Sequence, residues 1–210
     1  MATVILSGGL SKRMGSDKGL LILGDKPLIL HIIEVVKNFS DEIIVAISRN
    51  SNILNYKKIL PDDVYLVIDL LPKQSPVVGI YSGLSRVTTD YAFIVSCDTP
   101  FVNSKVVKFL FEEAIDFDAA IPRWPNGFIE PLHAVYRVVS TLKSAKEAYE
   151  ANELRNLDIV KRLKRVKYIP IDKIREFDRE LYTFFNINTP EDFERAIKII
   201  ESKKDKDKDK

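Results

Sequence analysis

Short β-branched apolar runs alternate with longer stretches in which apolar residues recur every three or four positions. The runs at 4–6, 42–47, 64–68 and 91–96 read as buried strands, each closed by small or polar residues. Between the first two, Leu28, Ile32, Val35 and Val36 keep helical spacing from Pro27 to about residue 38, with His31 in a packing or capping role. Ser51 is placed to cap a short helix to 58, and a further helix is predicted over about 80–87. Ser104 resembles an N-cap for a helix to about 115, with Val107, Leu110, Phe111 and Ala114 on one face. Strands alternating with helices predict βαβ units and a mostly parallel sheet, whose ligands bind beyond the carboxyl ends of the strands.

The second half is less regular. Strands at 119–121 and 133–136 flank an Arg123-Trp124-Pro125-Asn126-Gly127 loop, helices are predicted near 138–151 and 157–163, and a strand over 166–171. Thr189 and Pro190 open a last helix, with Phe193, Ala196, Ile197 and Ile200 on one face. The Lys/Asp alternation beyond it has no apolar residue, so 1–201 is expected to be one domain and 202–210 a charged, disordered tail.

Composition narrows the possibilities. A chain of 210 residues suits one large domain with a real core, and a net charge of +2 gives no electrostatic footprint for nucleic acid. Cys97 is the single cysteine, which excludes an intrachain disulfide and a cysteine-rich zinc site, and beside Asp98 it reads as a buried filler. No apolar run approaches a membrane span and the start lacks a secretory pattern, so the expected location is the cytoplasm.

The candidate chemistry gathers at strand ends. After the first strand, Ser7, Gly8, Gly9 and Gly15 are interleaved with Arg13 and Lys18. Glycines let backbone N–H groups approach an anion, and the cations point to a polyphosphate, hence a nucleoside triphosphate. The spacing is neither GxxxxGK[ST] nor GxGxxG, so the P-loop and the dinucleotide fingerprint are both excluded. Asp69 ends the third strand. Asp98 follows the fourth as a candidate Mg²⁺ ligand, because Mg²⁺ is commonly held by one or two carboxylates plus substrate phosphates. Asn186 and Asn188 alternate on an extended segment and so face the same way, toward a phosphate, a metal-bound water or a pterin ring.

LSGGLSKRMGSDKGLL, IVSCDTPFV, EPLHAVY and FFNINTPEDF together resemble the molybdenum cofactor guanylyltransferases, over nearly all of 2–201. The glycine-loop signature is shared by many nucleotidyltransferases; Asp17 before Lys18 and the Asn-Ile-Asn-Thr-Pro-Glu-Asp block carry the narrower likeness. The resemblance implies a Rossmann-like, three-layer α/β nucleotidyltransferase fold with a mostly parallel, mixed sheet. It implies GMP transfer from GTP to molybdenum-bound molybdopterin, with Mg²⁺ as cofactor and pyrophosphate released. By motif position, Leu6, Ser7, Gly8, Gly9, Lys18, Asp69, Gly79 and Asp98 fall on the nucleotide side. Arg13, Lys18 and Asp98 fall at the reacting phosphates, Asp98 on the metal, and Asn186 and Asn188 on the acceptor side. Hand-over of a finished cofactor implies transient contact with assembly proteins or apoenzymes. The chain departs from the family wording at 46–48, where an asparagine is usual, and at 73–78; both touch nucleoside recognition. Cytidylyl transfer, a sugar or alcohol phosphate acceptor, and a non-catalytic nucleotide-binding subunit are the competing readings.

Overall fold

The four apolar runs of the first half are strands, as their β-branched composition favours, and they lie side by side in parallel, joined by crossovers. A computed structural model describes residues 1–8 and 17–208, with 203–208 described by backbone alone. In chain order, β1 (Ala2–Leu6) precedes a small hairpin of β2 (Ile22–Leu23) and β3 (Lys26–Pro27), then α1 (Leu28–Val36), β4 (Glu42–Ile47) and α2 (Ile53–Ile59). β5 (Val64–Ile68), α3 (Pro76–Leu84), β6 (Tyr91–Ser96) and α4 (Ser104–Ala114) follow. The remainder is β7 (Ala119–Arg123), β8 (His133–Arg137), α5 (Val138–Glu150), α6 (Asn156–Val160), β9 (Val166–Pro170), α7 (Ile171–Arg175) and α8 (Pro190–Lys208).

Seven strands form one sheet in the order β5-β4-β1-β6-β8-β7-β9. Only β8 runs against its neighbours in this sheet, β6 and β7. The register sets Leu6 opposite both Ala46 and Ser96, and Ile47 opposite Ile68. The residues that follow β1, β4, β5 and β6 therefore emerge along one edge.

Side chains on a strand alternate between faces, and the two faces carry separate cores. Ile5, Phe93 and Val95 pack with α1, α4 and α7, while Val4, Ile44 and Ile94 pack with α3, α5 and α6. A third cluster joins Leu23, Leu28, Ile187, Ala196 and Ile199, which fastens α8 against the hairpin and the start of α1. His31 tightens the same corner, its Nε2 lying 2.9 Å from the Leu23 carbonyl.

Several boundaries differ from the sequence expectation for identifiable reasons. Asn52, not Ser51, caps α2, its side chain accepting from the Leu54 and Asn55 amides; Ser51 instead donates to Asp17 Oδ1 at 3.2 Å. Asn103 caps α4, and Ser104 is its first helical residue. α3 begins at Pro76 behind the Ser75 cap, well before residue 80, because Gly79 and Gly83 lie inside the helix rather than breaking it. A Cβ at Gly83 would overlap Val4, so glycine is what lets α3 approach β1 this closely. α7, with Ile171 and Ile174 buried, is too short for its periodicity to register. α8 runs to Lys208, carrying helix through most of the stretch expected to be a disordered tail. Lysine is a good helix former and nothing in that run breaks a helix once α8 is anchored.

Candidate functional site

The chain leaves β1 at Ser7, which is 2% exposed and locked to α2: its Oγ lies 2.7 Å from the Tyr56 hydroxyl. Tyr56 also donates to the Ser7 carbonyl at 3.3 Å, and burial raises its phenol pKa well above the ordinary value. Gly19 sits beneath this pair; a Cβ there would overlap Ser7 Oγ and press on the Tyr56 hydroxyl. Asp17 is buried and held by Ser51, with burial raising its pKa. Both flanks of the glycine loop are thus fixed to the sheet edge. Gly9 and Arg13 lie outside the described residues.

A cavity of about 310 Å³ opens beside this edge, bordered by Leu6, Gly8, Asp69, Gln74, Gly79 and Leu132, among others. Gln74 closes one wall by donating to the Gly8 carbonyl at 2.7 Å. Asp69 is 6% exposed, and its Oδ1 has no hydrogen-bond partner among the described residues. Arg49 is close, but it grips the backbone, donating to the Asp69 and Leu70 carbonyls at 2.9 and 2.8 Å. Desolvation without a hydrogen bond pushes the Asp69 carboxyl up to about 6, with the Arg49 charge opposing it. A Cβ on Gly79 would stand 3.4 Å from Leu6 Cδ2 and 3.9 Å from Asp69 Oδ1, so the glycine keeps the space before this carboxylate open.

A second cavity, about 200 Å³, shares Ser96 and Leu132 with the first and is bordered by Asp98, Glu130, His133, Asn156 and Asn186. At its edge three residues distant in the chain meet. Lys18 Nζ donates to Asp98 Oδ2 at 3.1 Å and to Asn188 Oδ1 at 2.7 Å, while the Ile187 amide donates to the Asp98 carbonyl at 2.9 Å. Ile187, between the two asparagines, is buried in the third core, as alternation on an extended segment requires. Asn186 borders the second cavity and donates to the Phe184 carbonyl at 3.1 Å. Asn188 and Thr189 are in turn set by α8, since Asp192 accepts from both of their amides.

Asp98 Oδ1 is buried and has no hydrogen-bond partner among the described residues. One carboxylate with a spare oxygen, beside a lysine and an open cavity, fits a Mg²⁺ ion that takes its other ligands from substrate phosphates and water. Among the described residues no group of three or more His, Cys, Asp or Glu is placed to hold a metal. Cys97 is buried and its thiol is pushed up to about 12, chiefly by desolvation, which leaves it a filler rather than a nucleophile.

The structure therefore gathers Leu6, Gly8, Asp69 and Gly79 at the first cavity, Asp98 and Asn186 at the second, and Lys18 and Asn188 where Asp98 stands. Residue-by-residue reading of the sequence missed Gln74, Glu130 and His133. The last two belong to the EPLHAVY run, which carries part of the family resemblance but whose side chains give no chemical signal in isolation. Gln74 lies in the 73–78 stretch that departs from family wording. No helix among the described residues is long and apolar enough to cross a membrane.

Comparison with known proteins gives a consistent result. Residues 3–166 match the model of the MobA-like NTP transferase domain. A probable molybdenum cofactor guanylyltransferase of Methanosarcina mazei is 37% identical over 201 residues, covering 93% of this chain and 89% of that protein. A protein of the same description from Pyrococcus furiosus is 36% identical over 201 residues, covering 93% and 96%. The crystal structure of molybdopterin-guanine dinucleotide biosynthesis protein A from Archaeoglobus fulgidus superposes with a TM-score of 0.80 at 29% identity, covering 96% of this chain and 100% of that one.

Proposed function

The chain belongs to the family of MobA-like NTP transferase domains, and we propose that it transfers GMP from GTP to the terminal phosphate of molybdenum-bound molybdopterin, forming the guanine dinucleotide cofactor. The observation that carries this reading is the meeting of Lys18, Asp98 and Asn188 beside the second cavity, which shares Ser96 and Leu132 with the first. A nucleotidyl transfer needs two anionic substrates brought together at one cationic point, with room for each on its own side.

The first cavity suits the guanosine. Guanine presents N1–H and N2–H donors side by side, and the unpartnered Asp69 oxygen supplies a matching acceptor. Gly8 and Gly79 leave the backbone open for close approach, with Leu6 as an apolar floor. Lys18 holds triphosphate oxygens as a movable point charge, and Arg13, by its position in the motif, does the same. The second cavity receives the acceptor, with Asn186 and Asn188 as amide contacts.

An oxygen of the acceptor's phosphate attacks the α-phosphorus of GTP in line. The new P–O bond forms as the bond to the β-phosphate oxygen breaks, and pyrophosphate leaves with the electron pair. The nucleophile is already an anion, so no general base is required; what the reaction lacks is charge neutralisation. Lys18 provides part of it, and Asp98 would hold Mg²⁺, which when bound neutralises the triphosphate further. GTP and the acceptor put the reaction in the cytoplasm, with hand-over of the product to apoenzymes or assembly proteins.

The test is pyrophosphate release with molybdenum-bound molybdopterin as acceptor and Mg²⁺ present. Release with GTP and not with CTP supports the proposal. Release with CTP alone makes the protein a cytidylyltransferase, and GTP binding without release makes it a non-catalytic subunit.

A further inference from the structure

We propose that Glu130 is a specificity-determining residue for the acceptor, the carboxyl oxygen left over from its Trp124 contact accepting hydrogen bonds from the adjacent N–H donors of the pterin ring. The inference rests on the reaction proposed above, and it names the residue of the second cavity that reads the heterocycle.

Two carboxylates border that cavity, in different settings. Asp98 carries Lys18, a place for phosphate. Glu130 has the Trp124 indole but no cation beside it among the described residues. None of the described side chains bordering the cavity is a lysine or arginine. His133, the one residue that could become a cation, is buried and pushed down to about 3 by desolvation, so it is neutral. A phosphate would be repelled by Glu130. A group with paired N–H donors would be attracted, and the 2-amino and ring N–H of an amino-oxo pyrimidine ring present that pair.

The carboxyl is also held in place. One oxygen accepts from the Trp124 indole N–H at 2.7 Å. Trp124 packs edge-on against Phe184 at 6.0 Å between ring centroids, and Phe184 packs against His133 at 5.0 Å. The Glu130 backbone is fixed at both sides, its amide donating to the Pro122 carbonyl and its carbonyl accepting from the His133 amide. Burial raises its pKa, with the indole contact opposing, as for an acid whose environment lacks a compensating charge. A volume of about 200 Å³ is below the roughly 300–1,000 Å³ typical of pockets for whole ligands, and suits one part of the acceptor such as a flat ring.

The experiment uses Glu130→Gln in the full chain. Glutamine keeps an oxygen for the Trp124 indole but turns an NH₂ group toward the donors of the ring. The KM for the acceptor should rise about tenfold or more, because N–H donors are left facing a donor where an acceptor stood. Turnover at saturation and GTP affinity should stay near wild type, which also certifies the fold. Binding is then measured without turnover, by quenching of the intrinsic fluorescence of free pterin and of lumazine, which has an oxygen where pterin has the 2-amino group. Wild type should prefer pterin, and Glu130→Gln should lose that preference. An unchanged acceptor KM, or a wild type indifferent between the two rings, overturns the inference. Absence of pyrophosphate release from wild type, with the Glu130-dependent pterin preference intact, would defeat the proposed reaction while keeping Glu130 as the contact to the pterin ring.

Discussion

Lys18 and Asp98 are eighty positions apart in the chain, yet Nζ and Oδ2 stand 3.1 Å apart where the ends of β1 and β6 meet. Both side chains are largely shielded, at 18% and 15% exposure. The parallel pairing of β1 with β6 makes the contact possible, because it delivers the residues after both strands to one edge. The same pair explains why a short motif and a lone aspartate belong to one site.

Replacing Asp98 by asparagine should lower turnover by at least ~10²-fold, the scale for losing one electrostatic contact to the reacting phosphates. Lys18 retains Asn188 as a partner, so the fold should hold. Pyrophosphate release measures the first effect and near-ultraviolet circular dichroism the second. Near-wild-type turnover would remove Asp98 from the reaction.

For Lys18→Ala the expected result is GTP binding weakened roughly 10–100-fold, the cost of a charge-assisted hydrogen bond, with turnover reduced as well. Titration calorimetry reads the affinity directly. Unchanged affinity and rate would contradict a triphosphate role for this lysine.

Asp69 offers a prediction with a sign that depends on pH. Its folded-state pKa is raised from 3.8 to about 6, so the unfolded chain loses this proton first as pH rises. The carboxyl therefore costs nothing below about pH 4, its penalty grows between pH 4 and 6, and it is complete above. Asp69→Asn should stabilise the ligand-free protein by about 1–2 kcal/mol at pH 7 and by little at pH 4. The variant should also bind GTP less well. Denaturant unfolding at the two pH values tests the first statement; a pH-independent difference would refute it.

Gly19→Ala should destabilise by about 1–3 kcal/mol, because the added methyl overlaps Ser7 Oγ in a closed corner. Chemical denaturation checks this, and GTP affinity should fall in parallel as the Ser7–Tyr56 contact is displaced. A variant as stable as wild type would show that the corner can open without cost.

Much of the first half is legible in the sequence because its signals are local. The runs at 42–47, 64–68 and 91–96 are strands with the bounds their composition indicates, since β-branched stretches closed by polar residues have few alternatives. Helix starts were less legible. Asn52 and Asn103 outcompete the adjacent serines as caps, and the glycines of α3 hide a helix whose close approach to β1 depends on them. Asp69, Asp98 and the two asparagines could be singled out because each ends a strand or alternates on an extended piece. What no local pattern contains is which of them share a space. The sheet order and register decide that Asp69 borders one cavity with Gly8 and Gly79, that Asp98 borders another with Glu130 and Asn186, and that Lys18 bridges Asp98 to Asn188. The sequence by itself thus determined the strands, the fold class and the kind of chemistry, through short-range periodicity and residue type. Only the tertiary structure decided the two-cavity division and the place of Glu130, because both are made by contacts between residues far apart in the chain.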